Sequence, residues 1–323
     1  MSVPAELRGF AGIILATVCL FAGCGPADRA GRAPDGSLNA VSTTSMIADL
    51  LRQVGGEHVD VTGLMGPGVD PHLYQASAGD VTRMSEADVI FYNGLHLEGK
   101  MVNVFEQMHR RNIRAVAVAE TAVPEDDLLE SPAFQGNYDP HVWFDVSLWM
   151  QAAETVHDVL AEMDPENATS FKTNLQAYLD ELSDLEAYIQ DRTEELPESL
   201  RVLITSHDAF GYFGRAYGFE VFGLQGISTA TEAGTADVQR LVEFVVERRI
   251  PALFIESSVS PKGIEAVREA VRSRGFDVSI GGTLYGDALG DPATPAGTYA
   301  GMIRHNIDTI VSTLQGDHVA AVR

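Results

Sequence analysis

The feature that most constrains the fold is the alternation of short apolar runs with amphipathic stretches. From Leu38 onward, the strand-like segments "NAVSTT", "HVDVTGLM" and "DVIFYNG" are separated by the helix-like segments "MIADLLRQV" and "AGDVTRMSEA". The alternation returns late in the chain, from "RVLITS" to "TPAGTYAGMIRHNIDTIVSTLQ". Strands that alternate with helices form parallel sheets with helices on both faces, so the pattern predicts an α/β protein.

One long helical stretch interrupts this alternation near the middle of the chain. Its apolar side chains recur at helical spacing: Phe171, Leu175, Tyr178, Leu182, Leu185 and Ile189. Asp164 can cap the helix, Pro165 suits its first turn, and the next proline is Pro197. One continuous helix would be roughly 45 Å long at about 1.5 Å per residue. Two helices with a break between Asp180 and Asp184 are the alternative.

The alternation on both sides of this helix predicts two α/β lobes. With 323 residues the chain is too long for one small core. The predicted limits are 38–163 for the N-terminal lobe, 164–197 for the linking helix and 198–323 for the C-terminal lobe. Each lobe is expected to contain a parallel sheet flanked by helices.

The first residues have the pattern of a secretory signal. Arg8 precedes the apolar run "GFAGIILATVCLFAGC", and small residues stand directly before Cys24, as in a bacterial lipobox. Phe21 departs from the leucine that is usual at its position. Residues 1–23 are predicted to be a signal peptide, Cys24 to become lipidated, and residues 24–37 to form a flexible tether. An ordinary cleaved signal and a buried first helix are the alternatives.

Composition excludes several classes of protein. Apolar residues make up 45% of the chain, too many for a disordered protein, and no later stretch is long and apolar enough to span a bilayer. Cys19 lies within the apolar run, so cleavage would leave Cys24 as the single cysteine and no internal disulfide. The formal net charge of −24 disfavours binding to nucleic acid and attracts divalent cations. Solubility alone is an equally good explanation of this charge.

Four side chains that can bind metal lie just beyond predicted strand ends, where ligands bind in open α/β sheets. His72 follows "VTGLMGPGVDP", and His141 lies after "IRAVAVAE". His207 directly follows "RVLITS", and Asp287 follows "SIGGTLYG". Two of the four fall in each predicted lobe. They can therefore meet only if the lobes face each other across a cleft.

The tripeptide Asp-Pro-His occurs twice, in "GVDPHLY" and in "YDPHVWFDV". Proline restricts the backbone and stiffens the loop, so less entropy is lost when the imidazole is held in place. The aspartate before it can cap local backbone amides. A nearby carboxylate, with Asp145 as one candidate, could hold the second ring nitrogen of the histidine. Asp-Pro is also a common turn signal without any chemistry.

The other histidines provide a contrast among the nine in the chain. A single histidine near a strand end is more often packed or solvated than a ligand. Five histidines lie in helices, beside polar turns or near the C-terminus and are expected to have no role in the site: His58, His109, His157, His305 and His318. His96, in "NGLHLEG", stays unassigned.

Several longer segments resemble one known family. They are "GPGVDPHLYQASAGDVTRMSEADVIFYNGLHLEG", "DPHVWFDV", "ITSHDAFGYFGRAYGF", "ISTATEAGTADV", "LFIESSVSPK" and "LYGDALG", in that order. They are similar to the zinc- and manganese-binding lipoproteins of metal ABC transporters, the TroA/PsaA/ZnuA-like solute-binding proteins. The resemblance covers essentially the whole chain after the signal. It implies two α/β lobes joined by a rigid helix, with one metal ion between them bound by His72, His141, His207 and Asp287.

The resemblance also implies a function. The protein would be an extracytoplasmic, lipid-anchored monomer that captures one Zn²⁺ or Mn²⁺ per chain. It would deliver this ion to the permease and ATPase subunits of an ABC transporter. No contact with nucleic acid is expected, and the membrane would be reached through the lipid at Cys24 alone.

The identity of the metal is left open. Three imidazoles and one carboxylate suit tetrahedral Zn²⁺, whereas Mn²⁺ prefers more oxygen ligands, one of which a bidentate Asp287 could supply. Many manganese-binding members have glutamate at the position of His207. Many zinc-binding members have a His-rich loop where this chain has the acidic "TAVPEDDLLESPAFQGNY". Gly286 replaces a serine that is common before the final aspartate.

Two other functions are the alternatives. Catalytic zinc usually keeps an open position for water, so four protein ligands disfavour a zinc-dependent hydrolase and the protein is predicted not to be an enzyme. Glu256, in "FIESS", is the only obvious spare base, and it is more readily an outer partner of a ligand. A surface adhesin lipoprotein with a structural metal is the second alternative.

Overall fold

The computed structural model describes residues 36–131, 134 and 136–316. Within this part of the chain, strands and helices alternate on both sides of one long helix, which confirms the predicted α/β architecture. The predicted signal peptide, Cys24 and most of the predicted tether lie outside the described residues, as does His318. Among the described helices, none has both the length and the apolar composition needed to cross a membrane.

The N-terminal lobe is built on a parallel sheet. Its strands are β1 (Leu38–Ser42), β2 (Val59–Gly63), β3 (Val89–Tyr92) and β4 (Arg114–Ala117). They are hydrogen-bonded in the order β2-β1-β3-β4, and Val41 pairs with Thr62 on one side and with Ile90 on the other. Ala40 and Phe91 face one apolar core, while Val41 and Ile90 face another. The sheet is thus buried on both faces, as parallel sheets are.

Five helices accompany this sheet. They are α1 (Ser45–Gly55), α2 (Ala78–Glu86), α3 (Val102–Arg110), α4 (Val118–Ala122) and α5 (Val146–Met163). The strand expected over "IRAVAVAE" ends at Ala117 and continues as α4. The backbone N–H of Ala119 still donates to the carbonyl of Asn93, the residue after β3, and the N–H of Val123 donates to the carbonyl of Ala119 as in a helix.

The long helix α6 (Ala168–Glu194) contains 27 residues without a break, which excludes the two-helix alternative. Its buried face carries the predicted stripe, including Phe171, Tyr178 and Ile189. It begins later than expected because Asp164 belongs to the end of α5 and accepts a hydrogen bond of 2.7 Å from Asn167 Nδ2. The helix packs against α1 and α5 in the first lobe and, further along the chain, against the last helix of the second lobe.

The C-terminal lobe repeats the plan of the first. Its strands are β5 (Val202–His207), β6 (Glu220–Gln225), β7 (Ala252–Glu256) and β8 (Ser279–Leu284). Its helices are α7 (Gly211–Tyr217), α8 (Thr235–Arg248), α9 (Lys262–Ser273) and α10 (Tyr299–Gln315). Parallel pairing joins β5 to β6 and β7 to β8, and β5 also contacts β7. The two strand pairs form separate two-stranded sheets, and with β5 next to β7 the strands lie in the order β6-β5-β7-β8, the same succession as in the first sheet.

One apolar core runs through both lobes. It contains Phe91 and Trp149 from the first lobe, Leu185 from α6, and Phe254 and Ile307 from the second. Each lobe also has a smaller core of its own. Because close-packed interiors deform little, this shared core gives the facing edges of the two lobes a fixed relation in the structure.

Candidate metal centre

The four predicted ligands lie on segments at the carboxyl ends of the two sheets. His207 is the last residue of β5, and Asp287 follows β8 closely. His72 lies in the loop between β2 and α2. His141 directly precedes a short 3-10 helix, Val142–Phe144. Each lobe therefore contributes two of the four side chains, as the strand-end reasoning requires.

The structure brings all four side chains together. One nitrogen or carboxylate oxygen from each lies within 4.8 Å of the others, and all four residues are buried. The Nε2 atom of His141 is 3.3 Å from Nε2 of His72 and 3.4 Å from Nε2 of His207. The carboxylate oxygens of Asp287 are 3.4 Å from Nε2 of His141, 3.3 Å from Nε2 of His207 and 3.8 Å from Nε2 of His72.

Four of these five separations fit one four-coordinate metal ion, and the 3.8 Å between His72 and Asp287 is longer than that spacing. In a tetrahedron the edge is about 1.6 times the centre-to-corner distance, so Zn–N bonds of about 2.0–2.1 Å place ligand atoms about 3.3–3.4 Å apart. The distances around His141 match this edge. Neither oxygen of Asp287 makes a hydrogen bond of good geometry within the described residues. A buried carboxylate is costly unless a cation lies next to it, and either protonated histidines or a metal ion can supply that positive charge here.

His141 is held by the aspartate of its own Asp-Pro-His segment. One oxygen of Asp139 lies 2.7 Å from Nδ1 of the ring and also accepts the backbone N–H of His141 at 2.9 Å. The Asp139 carbonyl accepts from the Tyr212 hydroxyl at 2.9 Å, and the Pro140 carbonyl accepts from Asn93 Nδ2 at 3.0 Å. Both the ring and the loop of His141 are therefore fixed, with Nε2 directed at the centre.

His207 is held by Glu256 from the neighbouring strand β7. One oxygen of Glu256 accepts the backbone N–H of His207 at 2.8 Å, and the other lies 2.8 Å from Nδ1 of the ring. The ring contact has ion-pair length, although its angle falls outside good hydrogen-bond geometry. A carboxylate on the far nitrogen of a metal-binding histidine orients the ring and raises its basicity.

His72 is supported differently. One oxygen of Asp70 accepts the backbone N–H of His72 at 2.9 Å, but it does not reach the ring. The Nδ1 atom of His72 is buried and makes no hydrogen bond with the described residues. The other oxygen of Asp70 accepts from the Thr229 hydroxyl at 2.6 Å, in the opposite lobe.

The two predicted outer carboxylates have different positions. Glu256 lies beside His207, whereas Asp145 contacts no site histidine and instead begins α5. It accepts the backbone N–H groups of Ser147 and Leu148 and lies 3.3 Å from Arg215 Nη2. Asp139 takes the position beside His141 that was expected of Asp145. The signal that would have found it is the spacing of two residues within Asp-Pro-His.

Burial and charge give the first two histidines opposite shifts. Burial lowers the pKa of His72 to about 3, against the opposing effect of Asp287. Burial also acts to lower the pKa of His141, but the carboxylate of Asp139, followed by that of Asp287, raises it to about 9. At neutral pH, without a metal ion, His141 therefore carries a proton and His72 does not.

The pair contributed by the second lobe is strongly coupled. Burial opposes the charged form of His207, but Asp287 and Glu256 raise its pKa well above the usual value. Burial likewise opposes the charge on Asp287, and His207 holds the pKa of this carboxyl well below its usual range. A metal ion would replace the histidine protons as the counter-charge of Asp287.

Gly286 makes room for Glu256. A side chain at this position would overlap Oε2 of Glu256, and its Cβ would lie 3.5 Å from Cε1 of His207. The carbonyl of Gly286 accepts a hydrogen bond of 3.1 Å from Trp143 Nε1. A serine at this position could be accommodated here only if Glu256 moved.

The remaining described histidines lie outside the four-residue cluster. His58 packs edge-on against Phe171, and His305 contacts the Thr283 carbonyl at 3.0 Å. His109 lies on the exposed side of α3, and His157 lies 2.9 Å from Asp158. The unassigned His96 is exposed at φ 64°.

Comparison with known proteins identifies the family. The sequence model described as "Zinc-uptake complex component A periplasmic" (ZnuA) matches residues 40–313. The manganese-binding lipoprotein MntA of Bacillus subtilis (strain 168) is 47% identical over 306 residues, which cover 94% of this chain and 98% of MntA. The zinc-binding protein TroA of Treponema pallidum (strain Nichols) is 50% identical over 282 residues, covering 87% of this chain and 90% of TroA.

A solved structure agrees with the sequence comparison. The periplasmic zinc-binding protein TroA from Treponema pallidum superimposes with a TM-score of 0.84 at 50% identity, over 86% of this chain and 99% of that chain. The resemblance seen in the sequence motifs is thus confirmed at the level of the whole fold. On these matches, the chain belongs to the zinc-uptake complex component A family of metal-binding proteins.

Proposed function

We propose that this protein captures one divalent transition-metal ion, zinc or manganese, between its two lobes and delivers it to an ABC permease for import. The observation that supports this function is the cluster of three buried histidines and one buried aspartate whose ligand atoms lie within 4.8 Å of one another. Relatives named for zinc or manganese binding, at 50% and 47% identity, support the same class of cargo.

The metal ligands in this proposal are His72, His141, His207 and Asp287. Their support is the burial of all four residues and the fit of the distances around His141 to one ion. A set of three nitrogens and one oxygen favours Zn²⁺ in a tetrahedral site. Zinc also exceeds manganese in intrinsic affinity at almost any such site, so metal supply helps to decide the cargo in the cell.

Localisation and partners follow from the same proposal. Residues 1–23 act as a signal, lipidated Cys24 anchors the chain, and residues 24–37 tether the lobes, which extend over 38–163 and 198–323. The protein works outside the cytoplasm as a monomer and meets permease and ATPase subunits at the membrane. Its family comprises transport proteins rather than enzymes, and four protein ligands leave no open position for a catalytic water.

The decisive experiment is metal analysis of protein purified from its own host, combined with growth of a deletion strain. We expect one zinc or manganese ion per chain and a growth defect when that metal is limiting. A protein free of both metals, or a deletion strain that grows normally under both limitations, would overturn the proposal. A crystal structure with metal bound provides a further check, since a solvent molecule in place of one of the four side chains would favour a hydrolase.

A further inference from the structure

The three site histidines are not held with equal firmness. Nδ1 of His141 and Nδ1 of His207 each lie beside a buried carboxylate, at 2.7 Å and 2.8 Å. Nδ1 of His72 has no hydrogen-bond partner among the described residues. His72 therefore depends on its backbone for position. The groups that hold this backbone decide how well the ring can stay on a bound ion.

One carboxylate connects that backbone to the opposite lobe. Asp70 accepts the N–H of His72 with one oxygen at 2.9 Å and the Thr229 hydroxyl with the other at 2.6 Å. Thr229 is only 7% exposed and belongs to the loop between β6 and α8. The position of a first-lobe histidine is thus linked by two consecutive hydrogen bonds to a loop of the second lobe.

The loop that carries His72 meets the second lobe at another point as well. Gly68 has φ 70°, a conformation that favours glycine, and a Cβ there would be 3.4 Å from the carbonyl oxygen of Ser257. Ser257 directly follows β7. The loop of His72 therefore approaches the second lobe at two places, near Ser257 and at the Thr229 hydrogen bond.

We propose that Thr229 and Asp70 are positioning residues that set the residence time of the bound ion. This inference rests on the proposed metal capture. The Thr229 hydroxyl holds Asp70, which holds His72 in reach of the ion as long as the two lobes stay in contact. Loss of this hydrogen bond frees the least supported of the four ligands, so dissociation of the ion should accelerate. Arrival of the ion depends mainly on diffusion and charge and should change less.

The test compares Thr229→Val with Thr229→Ser. Valine keeps the shape of threonine without the hydroxyl, and serine keeps the hydroxyl. Zn²⁺ dissociation is followed by stopped-flow tryptophan fluorescence after addition of EDTA, because Trp143 lies edge-on at 5.1 Å from the His141 ring. Removing a hydrogen bond to a carboxylate should speed dissociation about tenfold in Thr229→Val, with a near-normal rate in Thr229→Ser.

Thr231→Val is the matched control, since this exposed threonine of the same loop makes no hydrogen bond in the described part of the chain. Zn²⁺ should dissociate from Thr229→Ala as fast as from Thr229→Val. Agreement between the two rates excludes a packing defect specific to one variant as the cause. The unfolding midpoint of each metal-free variant establishes that it folds.

A wild-type rate in either folded variant that lacks the hydroxyl overturns the positioning role and leaves metal capture intact. The positioning role is also overturned if Thr231→Val accelerates Zn²⁺ dissociation equally, or if Thr229→Ser does not restore the wild-type rate. Wild-type protein that fails to bind stoichiometric Zn²⁺ removes the proposed function and this inference together.

Discussion

The two Asp-Pro-His segments have the same sequence, and the structure uses them in different ways. In both, the aspartate accepts the backbone N–H of its histidine at 2.9 Å, so this local hydrogen bond is the same. The Asp139 carboxylate also contacts Nδ1 of the His141 ring, whereas the Asp70 carboxylate accepts a hydrogen bond from Thr229 in the other lobe. The tripeptide thus accounts for the shared hydrogen bond to the backbone, and the packing around each segment determines whether the carboxylate also contacts the histidine ring.

The surroundings explain the difference. Tyr212 and Asn93 donate to the carbonyls of Asp139 and Pro140 and hold the second segment inside the core. The Asp70 segment lies in the cleft, where the second lobe supplies its partner. The pKa of the histidine follows: about 9 where Asp139 faces the ring of His141, and about 3 where burial of His72 is not offset by such a carboxylate.

The largest expected effect on Zn²⁺ affinity comes from removing either histidine, and the two Asp-Pro-His segments should then behave alike. His72→Ala and His141→Ala each remove a ligand atom from the cluster. Each should lower Zn²⁺ affinity by more than the roughly 100-fold that is the upper range for outer partners. Competition titration with a zinc indicator measures the affinity. A variant that binds Zn²⁺ with the affinity of wild type would show that its histidine is not a ligand.

The control for these variants is His109→Ala. His109 is exposed on α3 and lies outside the four-residue cluster. Its affinity should stay within about twofold of wild type, because distant sites act independently. Equal losses in all three variants would indicate a general effect on folding rather than the loss of ligands.

A smaller effect should separate the two aspartates. Asp139→Asn keeps the shape of the side chain but takes the charge away from the ring of His141, and it should lower Zn²⁺ affinity by about 10- to 100-fold. Asp70→Asn keeps an oxygen for the backbone of His72 and should cost less at equilibrium, because Asp70 does not contact the ring. Calorimetric titration of both variants provides the comparison, and a larger loss in Asp70→Asn would reverse it.

Much of the site follows from the sequence because parallel sheets impose their geometry on it. Carboxyl ends of parallel strands lie at the same edge of a lobe, so His207 and Asp287, which follow β5 and β8, were expected on the same side of the second lobe. The continuous apolar stripe from Phe171 to Ile189 predicted α6 for a similar reason, since helical spacing is a local property.

The outer partners do not follow in this way. The choice between Asp139 and Asp145 as the partner of His141 depends on where α5 begins. Asp145 caps the N-terminus of α5 and is therefore not available to the histidine. The pairing of Thr229 with Asp70 spans 159 positions and depends on the relation between the lobes. The Asp70–Thr229 pairing has no periodic or local signal in the sequence, and the two-residue spacing of Asp139 from His141 does not by itself exclude Asp145.

The pH dependence of binding should distinguish the segments further. A histidine must lose its proton before it can bind a metal ion, so a raised pKa makes protons compete with zinc up to that pKa. Loss of the His141 proton should therefore raise the Zn²⁺ affinity about tenfold per pH unit between about pH 7 and 9. His72, with its pKa lowered to about 3, should add nothing in that window.

Calorimetry in buffers with different ionisation enthalpies counts the protons released on Zn²⁺ binding. At pH 7.5, a value between the usual pKa of histidine and the raised pKa of His141, Asp139→Asn should release about one proton fewer than wild type. Asp70→Asn should release as many as wild type. The same count in wild type and Asp139→Asn would mean that Asp139 does not control the His141 proton.

The smallest effect on metal binding is expected at Asp145, the carboxylate that sequence proximity associates with His141. Asp145 caps α5 through the N–H groups of Ser147 and Leu148, so Asp145→Ala should lower the free energy of unfolding by about 1 kcal/mol. Urea unfolding of the metal-free protein measures this loss. Zn²⁺ affinity and proton release should equal those of wild type, because the carboxylate contacts a helix end and Arg215 but no site histidine. A drop in affinity as large as that of Asp139→Asn would mean that the two carboxylates act on the same ring in solution, and that the contrast between cap and ring partner is wrong.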